Sequence, residues 1–531
     1  MSAAITIDDG DRETIPPPAV PQKADLTAWL GVAAGAIGSL MATLDISIVN
    51  SSLPTIQGEI GASASEGTWI ATSYLVAEII IIPLTGWLER VFGLRRFLLM
   101  AAILFTAFSI ACGLSTSLTM MILGRVGQGF TGGAMIPTAL TIIAMRLPPS
   151  QQPIGTALFG ATVIMGPVMG PLIGGWLTEN FSWHYAFFVN VPIGILLVIL
   201  LLVGIPKGKM KLDELVNADW LGVVGMVLGL GALTVVLEEG HREQWFESTV
   251  IWQLTGVSLL GFIMIGVGQV YAKRPVVKLA LLRNRAFAAV FGLSLILGGV
   301  MFGTAYVIPQ FLASVADYNA MQAGRIVFLS GIPALMMMPF FPLLVSRVDL
   351  RLIVGTGMVF LALSCYLDVT LTAQSRGGDF VVTQLLRGLG QVFCMMFLNQ
   401  AAISSVAPED AGDGAGLFNA GRNLGGSIGL ALLATLQDER WEFHRWTIHS
   451  TLFSNDIRMQ DWLGQQVMTY GGGPDGLAAT IRSLDAMVMR DALVMAFNDD
   501  FMALTIVILI VSPLVLFLRP LPKGYHAKAA H

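Results

Sequence analysis

The sequence predicts an all-α protein that crosses a membrane many times, and three observations predict it. Hydrophobic residues make up 55% of the 531 and charged residues only 12%, a balance outside the range of soluble domains. About fourteen apolar runs are long enough to cross hydrocarbon roughly 30 Å thick, which takes about 20 residues each. The basic residues between those runs fall almost entirely on one side, as the positive-inside rule requires.

Taken in chain order, residues 1–27 carry acidic residues and prolines where a signal peptide needs a basic start and an apolar middle. They read as a disordered cytosolic tail. Span 1, centred near Ser39, holds Asp45 late in "LDISIVN". Span 2, near Ile79, holds Glu78 in "YLVAEIIIIP" and runs into the basic turn "GWLERVFGLRR", with Gly86, Glu89, Arg90, Gly93, Arg95 and Arg96. Glu89 set among Arg90, Arg95 and Arg96 supplies the charges for an interhelical ion-pair latch, although the turn also reads as a basic loop that only fixes topology. Span 3 is centred near Ala107, and span 4, near Ala134, carries Arg125 and Gln128 in "GRVGQG". Span 5, near Met165, is "VIMGPVMGPLIGG": Gly166, Gly170 and Gly174 share one helix face, Pro167 and Pro171 line the strip beside it, and Gly175 follows. Small residues so spaced let helices approach closely. Neighbouring helices take up the backbone groups that proline frees.

Span 6, near Leu196, closes a first six-helix bundle over 28–205. Spans 7 and 8, near Gly229 and Leu260, form an inserted pair within 206–285. Spans 9 to 14, near Leu297, Met336, Phe360, Met395, Ser427 and Ile508, make a second bundle over 286–520. Methionine and phenylalanine in "ALMMMPFFP" and "VFCMMFLN" serve as packing, or line a cavity for varied hydrophobic ligands. A long loop over 437–498 precedes span 14, with amphipathic helices expected in "DERWEFHRWTIHS" and "GLAATIRSLDAMVMRDAL". Residues 521–531 form a second cytosolic tail.

An even number of spans puts both termini on one side. Loops on that side carry Arg90, Arg95, Arg96, Arg146, Lys207, Lys209, Lys211, Lys273, Arg274, Lys278, Arg283, Arg285, Arg347 and Arg351, whereas the opposite short loops hold only Arg242 and Arg376. Both termini are therefore expected in the cytoplasm. The halves echo each other, "GWLERVFGLRRFLL" after span 2 against "PLLVSRVDLRLIVG" after span 10, and "GRVGQG" against "RGLGQ" in span 12. Paired bundles with a site between them are a transporter pattern.

Charges inside hydrocarbon are functional candidates by default. Span 1 runs outward and span 4 inward, so Asp45 and Arg125 reach similar depth in the outer half and can pair. Such a pair is either structural neutralisation or a switchable proton site, because burial and the cation pull the carboxyl in opposite directions. Glu78 has no basic neighbour at helical spacing and is either a proton or substrate residue or a group facing water at a cavity wall. Asp368 and Arg387 repeat the pairing in spans 11 and 12, and Arg325 and Arg422 complete the set.

The exclusions are equally direct. A net charge of -5 and the lack of interleaved aromatic and basic residues argue against nucleic acid. Cys112, Cys365 and Cys394 all lie in apolar runs, so no disulfide framework is implied. No phosphate-binding loop supplies an ATP motor. The six histidines, at 184, 241, 444, 449, 526 and 531, fall outside the apolar spans, leaving no intramembrane metal or Ser-His-Asp set. No cofactor is expected beyond a proton gradient, and an enzyme reading is poor.

Together, "LDISIVNSSLPTI", "WIATSYLVAEIIIIPLTGWLERVFG", "GRVGQGFTGGAMIP", "GPVMGPLIGGWL", "WHYAFFVNVPIGI" and "NAGRNLGGSIG" resemble, in this order, the major facilitator superfamily over about residues 27 to 520. Within it they resemble the fourteen-span drug:proton antiporters of EmrB/QacA type. The resemblance implies a major facilitator fold in a bacterial inner membrane and proton-coupled export of amphipathic drugs. The span 5 stripe would be the antiporter motif, its glycines giving close helix contact and its kink shaping the interface between halves. The span 2 turn would be the gating loop, with Glu89 where aspartate is usual and Gly93 retained. Asp45, Arg125 and Gln128 would serve proton transfer, and Glu78 matches a position acidic in only some relatives. The long loop resembles that of pumps that dock a periplasmic adaptor (membrane fusion protein) and an outer-membrane channel. Uptake by symport, or a non-transporting sensor on the same fold, are the alternatives.

Overall fold

The computed structural model describes residues 23–216, 218–272, 275–452 and 457–519. Most of the first tail and all of the second, with Lys273, Arg274, His526 and His531, lie outside the described residues. Among the described residues every regular element is helical.

Among the described residues twelve helices are long and apolar enough to cross a membrane. In order these are α1 (Leu26–Ile60), α2 (Trp69–Phe92) and α3 (Leu94–Gly113), then, after α4, α5 (Gln152–Asn180), α6 (His184–Gly204), α7 (Trp220–Glu239) and α8 (Thr249–Tyr271). They continue with α9 (Arg285–Ser314), α10 (Met321–Arg347), α11 (Leu350–Thr370), α12 (Phe380–Ser404) and, after α13, α14 (Gly473–Phe517). The remaining two long helices, α4 (Leu118–Arg146) and α13 (Ala411–Thr451), stand where spans 4 and 13 were expected but are less apolar. The cause is legible: α4 carries Arg125 and Gln128 among glycines, and the second half of α13 is "DERWEFHRWTIHST".

Local chemistry sets the helix ends. Asp25 accepts from the Ala28 amide at 2.9 Å to start α1, and the side chains of Ser117, Asn284 and Asp349 cap α4, α9 and α11 in the same way. Between α2 and α3 the chain turns at Gly93 with φ +78°, a conformation glycine alone adopts cheaply. Pro54, Pro137, Pro167, Pro171 and Pro309 all sit inside uninterrupted helices, which a bilayer environment tolerates.

The two halves pack internally as α1 on α5 and α6, α2 on α4, α9 on α13, and α11 on α12. The inserted pair is not an appendage. Besides packing on α8, α7 touches both halves: Thr72 Oγ1 on α2 donates to Glu239 at 2.9 Å, and Ser427 Oγ on α13 donates to Glu238 at 2.8 Å.

The expected loop over 437–498 is built largely from the span helices themselves. Helix α13 is 41 residues long and reaches Thr451, α14 begins at Gly473, and a short helix, Ile457–Thr469, lies between them. Extending a formed helix adds one hydrogen bond per residue without a new nucleus, and no proline or glycine interrupts α13 after Gly429. Charged contacts tie the two extensions together: Arg440 Nε donates to Asp499 at 2.5 Å, and His444 Nε2 lies 2.7 Å from the same carboxylate. His444, in a segment expected to form an amphipathic helix of the loop, is buried on the extension of α13.

Candidate functional site

Asp45 sits in the fourth turn beyond Gly31 on α1, among small residues that let α4 and α6 close around it. It is fully buried, as are Arg125, Gln128 and Asn190. The Asp45 carboxylate accepts from Arg125 Nη1 at 2.5 Å, Gln128 Nε2 at 3.0 Å and Asn190 Nδ2 at 2.7 Å. Arg125 in turn donates from Nε to the Ile70 carbonyl at 3.0 Å and lies 4.3 Å from the Tyr74 ring centroid. Arg125 Nη1 also reaches Gln128 Oε1 at 3.1 Å, and Asn190 bonds onward to Ser109 Oγ at 3.0 Å. Four helices and the α6 start therefore meet on one carboxylate. Charge-assisted bonds of this kind are the strong ones, and a buried pair so satisfied has its charges compensated locally.

The expected pair of Asp45 and Arg125 is present, and Gln128, expected only beside Arg125 in its motif, joins it. Asn190, Ser109 and Tyr74 were missed. Asn190 had a signal, as a lone amide in the apolar "FFVNVPIGI". Ser109 and Tyr74 had none, since a serine or tyrosine in an apolar run is ordinary.

Glu78 lies apart from this knot. It is buried on α2, with Gly133 of α4 closing over its Cγ, and it faces Arg422 and Asn423 of α13. Its basic neighbour comes from the other half, which is why no helical spacing showed it. One guanidinium nitrogen of Arg422, Nη1, is buried without a partner.

In the second half, Arg387 Nη2 donates to Asp368 at 2.6 Å, with both side chains nearly inaccessible. Arg387 Nη1 also bonds Gln384 at 3.2 Å. The halves thus place glutamine three residues after the arginine in α4 and three before it in α12, so the pairing is echoed but not copied.

The glycine stripe has one destination. A Cβ on Gly166 would lie 2.1 Å from Thr43 Oγ1, on Gly170 2.3 Å from Ser47 Cβ, and on Gly174 2.3 Å from Ser51 Oγ. All three contacts are on α1. Gly175 has open space beside it. Ser47 Oγ donates to the Pro167 carbonyl at 3.1 Å, so α1 supplies a donor where proline loosens the ladder. The side of α5 toward α10 is different: Val168, Pro171 and Leu172 line a cavity of about 250 Å³ with Met321, Gly324, Arg325 and Phe328. The glycine face therefore seals the first half internally, and the proline strip beside it is what meets the second half.

The turn after α2 forms a latch across the halves. Arg90 Nη1 donates to Asp413 Oδ2 at 2.6 Å, Lys278 Nζ lies 3.3 Å from the same carboxylate, and Lys278 also pairs with Asp410. Burial lowers the Lys278 ammonium, but the Asp410 hydrogen bond and the Asp413 charge outweigh it and leave the group above its ordinary value. Gly86 is required here, because a Cβ would lie 2.5 Å from Asp413 Oδ1. Glu89 does not pair within its own turn; it faces Thr138 and Thr141 of α4. Arg95 is half-buried and Arg96 exposed. Asp413, at the first turn of α13, is the acidic partner that reading the turn alone did not find.

Residues 35–430 match the profile of the Major Facilitator Superfamily. The chain is 32% identical over 500 residues to the "Colistin resistance protein EmrB" of Acinetobacter baumannii, covering 93% of this chain and 96% of that one. It is 30% identical over 492 residues to the "Multidrug export protein EmrB" of Escherichia coli, covering 91% and 94%. Its fold is similar to that of the human organic anion transporter MFSD10, with TM-score 0.55 at 12% identity over 91% of this chain and 99% of that one.

Proposed function

The chain belongs to the major facilitator superfamily and is a multi-pass membrane transporter rather than an enzyme, and from that premise we propose that it is a proton-coupled antiporter exporting hydrophobic or amphipathic drugs. The observation that carries this is the Asp45 knot: a buried carboxylate held by partners on two other helices of its own half, so that a shift of α4 or α6 against α1 changes what neutralises it. Tilting α4 or α6 away from α1 removes Arg125 or Asn190, and the carboxylate then takes up a proton to stay neutral. Protons entering from outside would load Asp45 in one conformation and leave toward the cytoplasm when Arg125 returns. Drug would move outward on the opposite stroke.

The bundles over 28–205 and 286–520 would rock about the site between them, with α4 and α13 counted as spans and both termini cytoplasmic. Glu78 and Arg422 face that interface from opposite halves and suit a substrate or coupling contact. Arg90 and Lys278 on Asp413 would hold the cytoplasmic ends shut. Relatives bearing the names of drug resistance and export across nearly the whole chain support the substrate class and a bacterial inner membrane. The helical hairpin between α13 and α14 would meet a periplasmic adaptor that leads to an outer-membrane channel.

The test is drug accumulation in cells lacking other pumps, with and without an uncoupler. Export lowers cellular drug until the gradient collapses, and Asp45→Asn should abolish that effect in a protein still inserted. Full efflux by Asp45→Asn would remove Asp45 from the coupling role; drug accumulation raised by the wild type would reverse the direction of transport.

A further inference from the structure

Asp500, on α14, is completely inaccessible, and neither carboxylate oxygen has a hydrogen-bond partner. Buried polar groups are almost always satisfied, and an ionised carboxylate without donors costs several kcal/mol. Its surroundings follow from helix register. A Cβ on Gly303 of α9 would lie 2.4 Å from Leu433 of α13 and 3.5 Å from Leu504 of α14, so these three positions form one layer of a three-helix seam. One turn further along, α9 presents Tyr306, with Gln310 a turn beyond it, α13 presents Gln437, and α14, running the opposite way, presents Asp500. Tyr306 lies within electrostatic reach of Asp500.

None of these groups bonds Asp500: Gln310 Nε2 donates to the Tyr306 hydroxyl at 3.1 Å, and Gln310 Oε1 is buried with no partner. Nearby charges do not neutralise Asp500 either. From α13, Arg440 and His444 are both engaged by Asp499, and Asp438 is paired with His241 at 3.1 Å. Against the end of α11, Asp368 is held by Arg387, while Arg490 donates to the carbonyls of Val315 and Ala373. No donor or cation therefore compensates an ionised Asp500.

We propose that Asp500 carries a bound proton in this conformation and is a second proton-carrying residue of the transport cycle, located in the second half. A protonated carboxyl is neutral and needs no compensating cation or donor. The Arg440–Asp499–His444 cluster, one residue away along α14, stands between it and the outer extensions of α13 and α14. Opening that cluster exposes Asp500 to water and lets it exchange its proton, which balances as one proton bound and one released per cycle. This rests on the proton-coupled reading above.

Infrared difference spectroscopy on the purified full chain tests the proton directly, and vesicles loaded with a pH-sensitive dye test its role. Asp500→Asn should fold with no loss of thermal stability, because no partner is lost, and should lose one protonated-carboxyl stretching band that Asp45→Asn retains. Proton release driven by ethidium export should be lost or displaced in pH. An unchanged band in Asp500→Asn overturns the inference, as does a variant that no longer folds, since that would reveal a partner. A sodium-dependent response without the band also overturns it. If wild-type vesicles release no protons, the antiport reading fails, while the band still decides the state of Asp500.

Discussion

At the scale of single residues, Asp45 and Arg125 are coupled so closely that substitutions at the two should differ in kind. Arg125→Ala leaves a buried carboxylate facing only Gln128 and Asn190, and removing one member of a buried pair costs about 3 to 5 kcal/mol. A marked fall in thermal midpoint is expected, together with inactivity. Asp45→Asn keeps the shape, and Arg125 retains Ile70, Gln128 and the Tyr74 ring, so the midpoint should fall less while coupling is lost. Comparing the two midpoints on one purified preparation checks this. Lys278 makes a different statement. A raised lysine contributes stability that is complete below its unfolded value and is lost only as pH rises through the folded one. The share of the latch that Lys278 supplies should therefore be constant through the neutral range and weaken only above about 10.4, the ordinary lysine value. Cross-linking between α2 and α13 across a pH series measures it.

At the scale of elements, α5 carries its own control. Gly170→Leu drives a branched side chain into Ser47, where even one methyl group has no room, whereas Gly175→Leu enters open space on the same helix. Overpacking typically costs about 1 to 3 kcal/mol. The first variant should block transport and lower stability, and the second should do neither. Equal behaviour in a transport assay would return the stripe to generic small-residue packing. The stripe was visible in the sequence as a four-residue repeat, but its partner was not, because any helix with small residues on one face would have served.

At the scale of the whole molecule, the halves meet through α2 with α13 and through α5 with α12, where Thr156 Oγ1 donates to Gln400 at 2.8 Å. Asp413→Ala removes the shared partner of Arg90 and Lys278. It should shift the population toward opening at that end, read as faster labelling of a cysteine placed beside Gly412. The hairpin between α13 and α14 can be cut independently. Replacing residues 450–485 with a short Gly/Ser linker leaves Arg490 on Val315 and Ala373, and Asn498 on Leu371, in place. Transport in vesicles holding the pump alone should survive, and resistance in cells with two membranes should be lost. Survival of resistance would leave the hairpin without a docking role.

The sequence by itself determined the solvent, the positions of the long helices and most of the intramembrane charges, though not Asp500, because each depends on local composition: apolar length, glycine and proline spacing, and the rarity of charge in hydrocarbon. It also paired Asp45 with Arg125 and Asp368 with Arg387, since depth along antiparallel spans can be counted. Only the tertiary structure decided which helix faces meet. Asn190 joins Asp45, Glu78 faces Arg422, Arg90 finds Asp413, and α7 bridges both halves. Those contacts join residues from 145 to more than 320 positions apart, and helical periodicity carries no information across such distances: it fixes which residues share a face, while the neighbour of that face is set by how all the helices pack together.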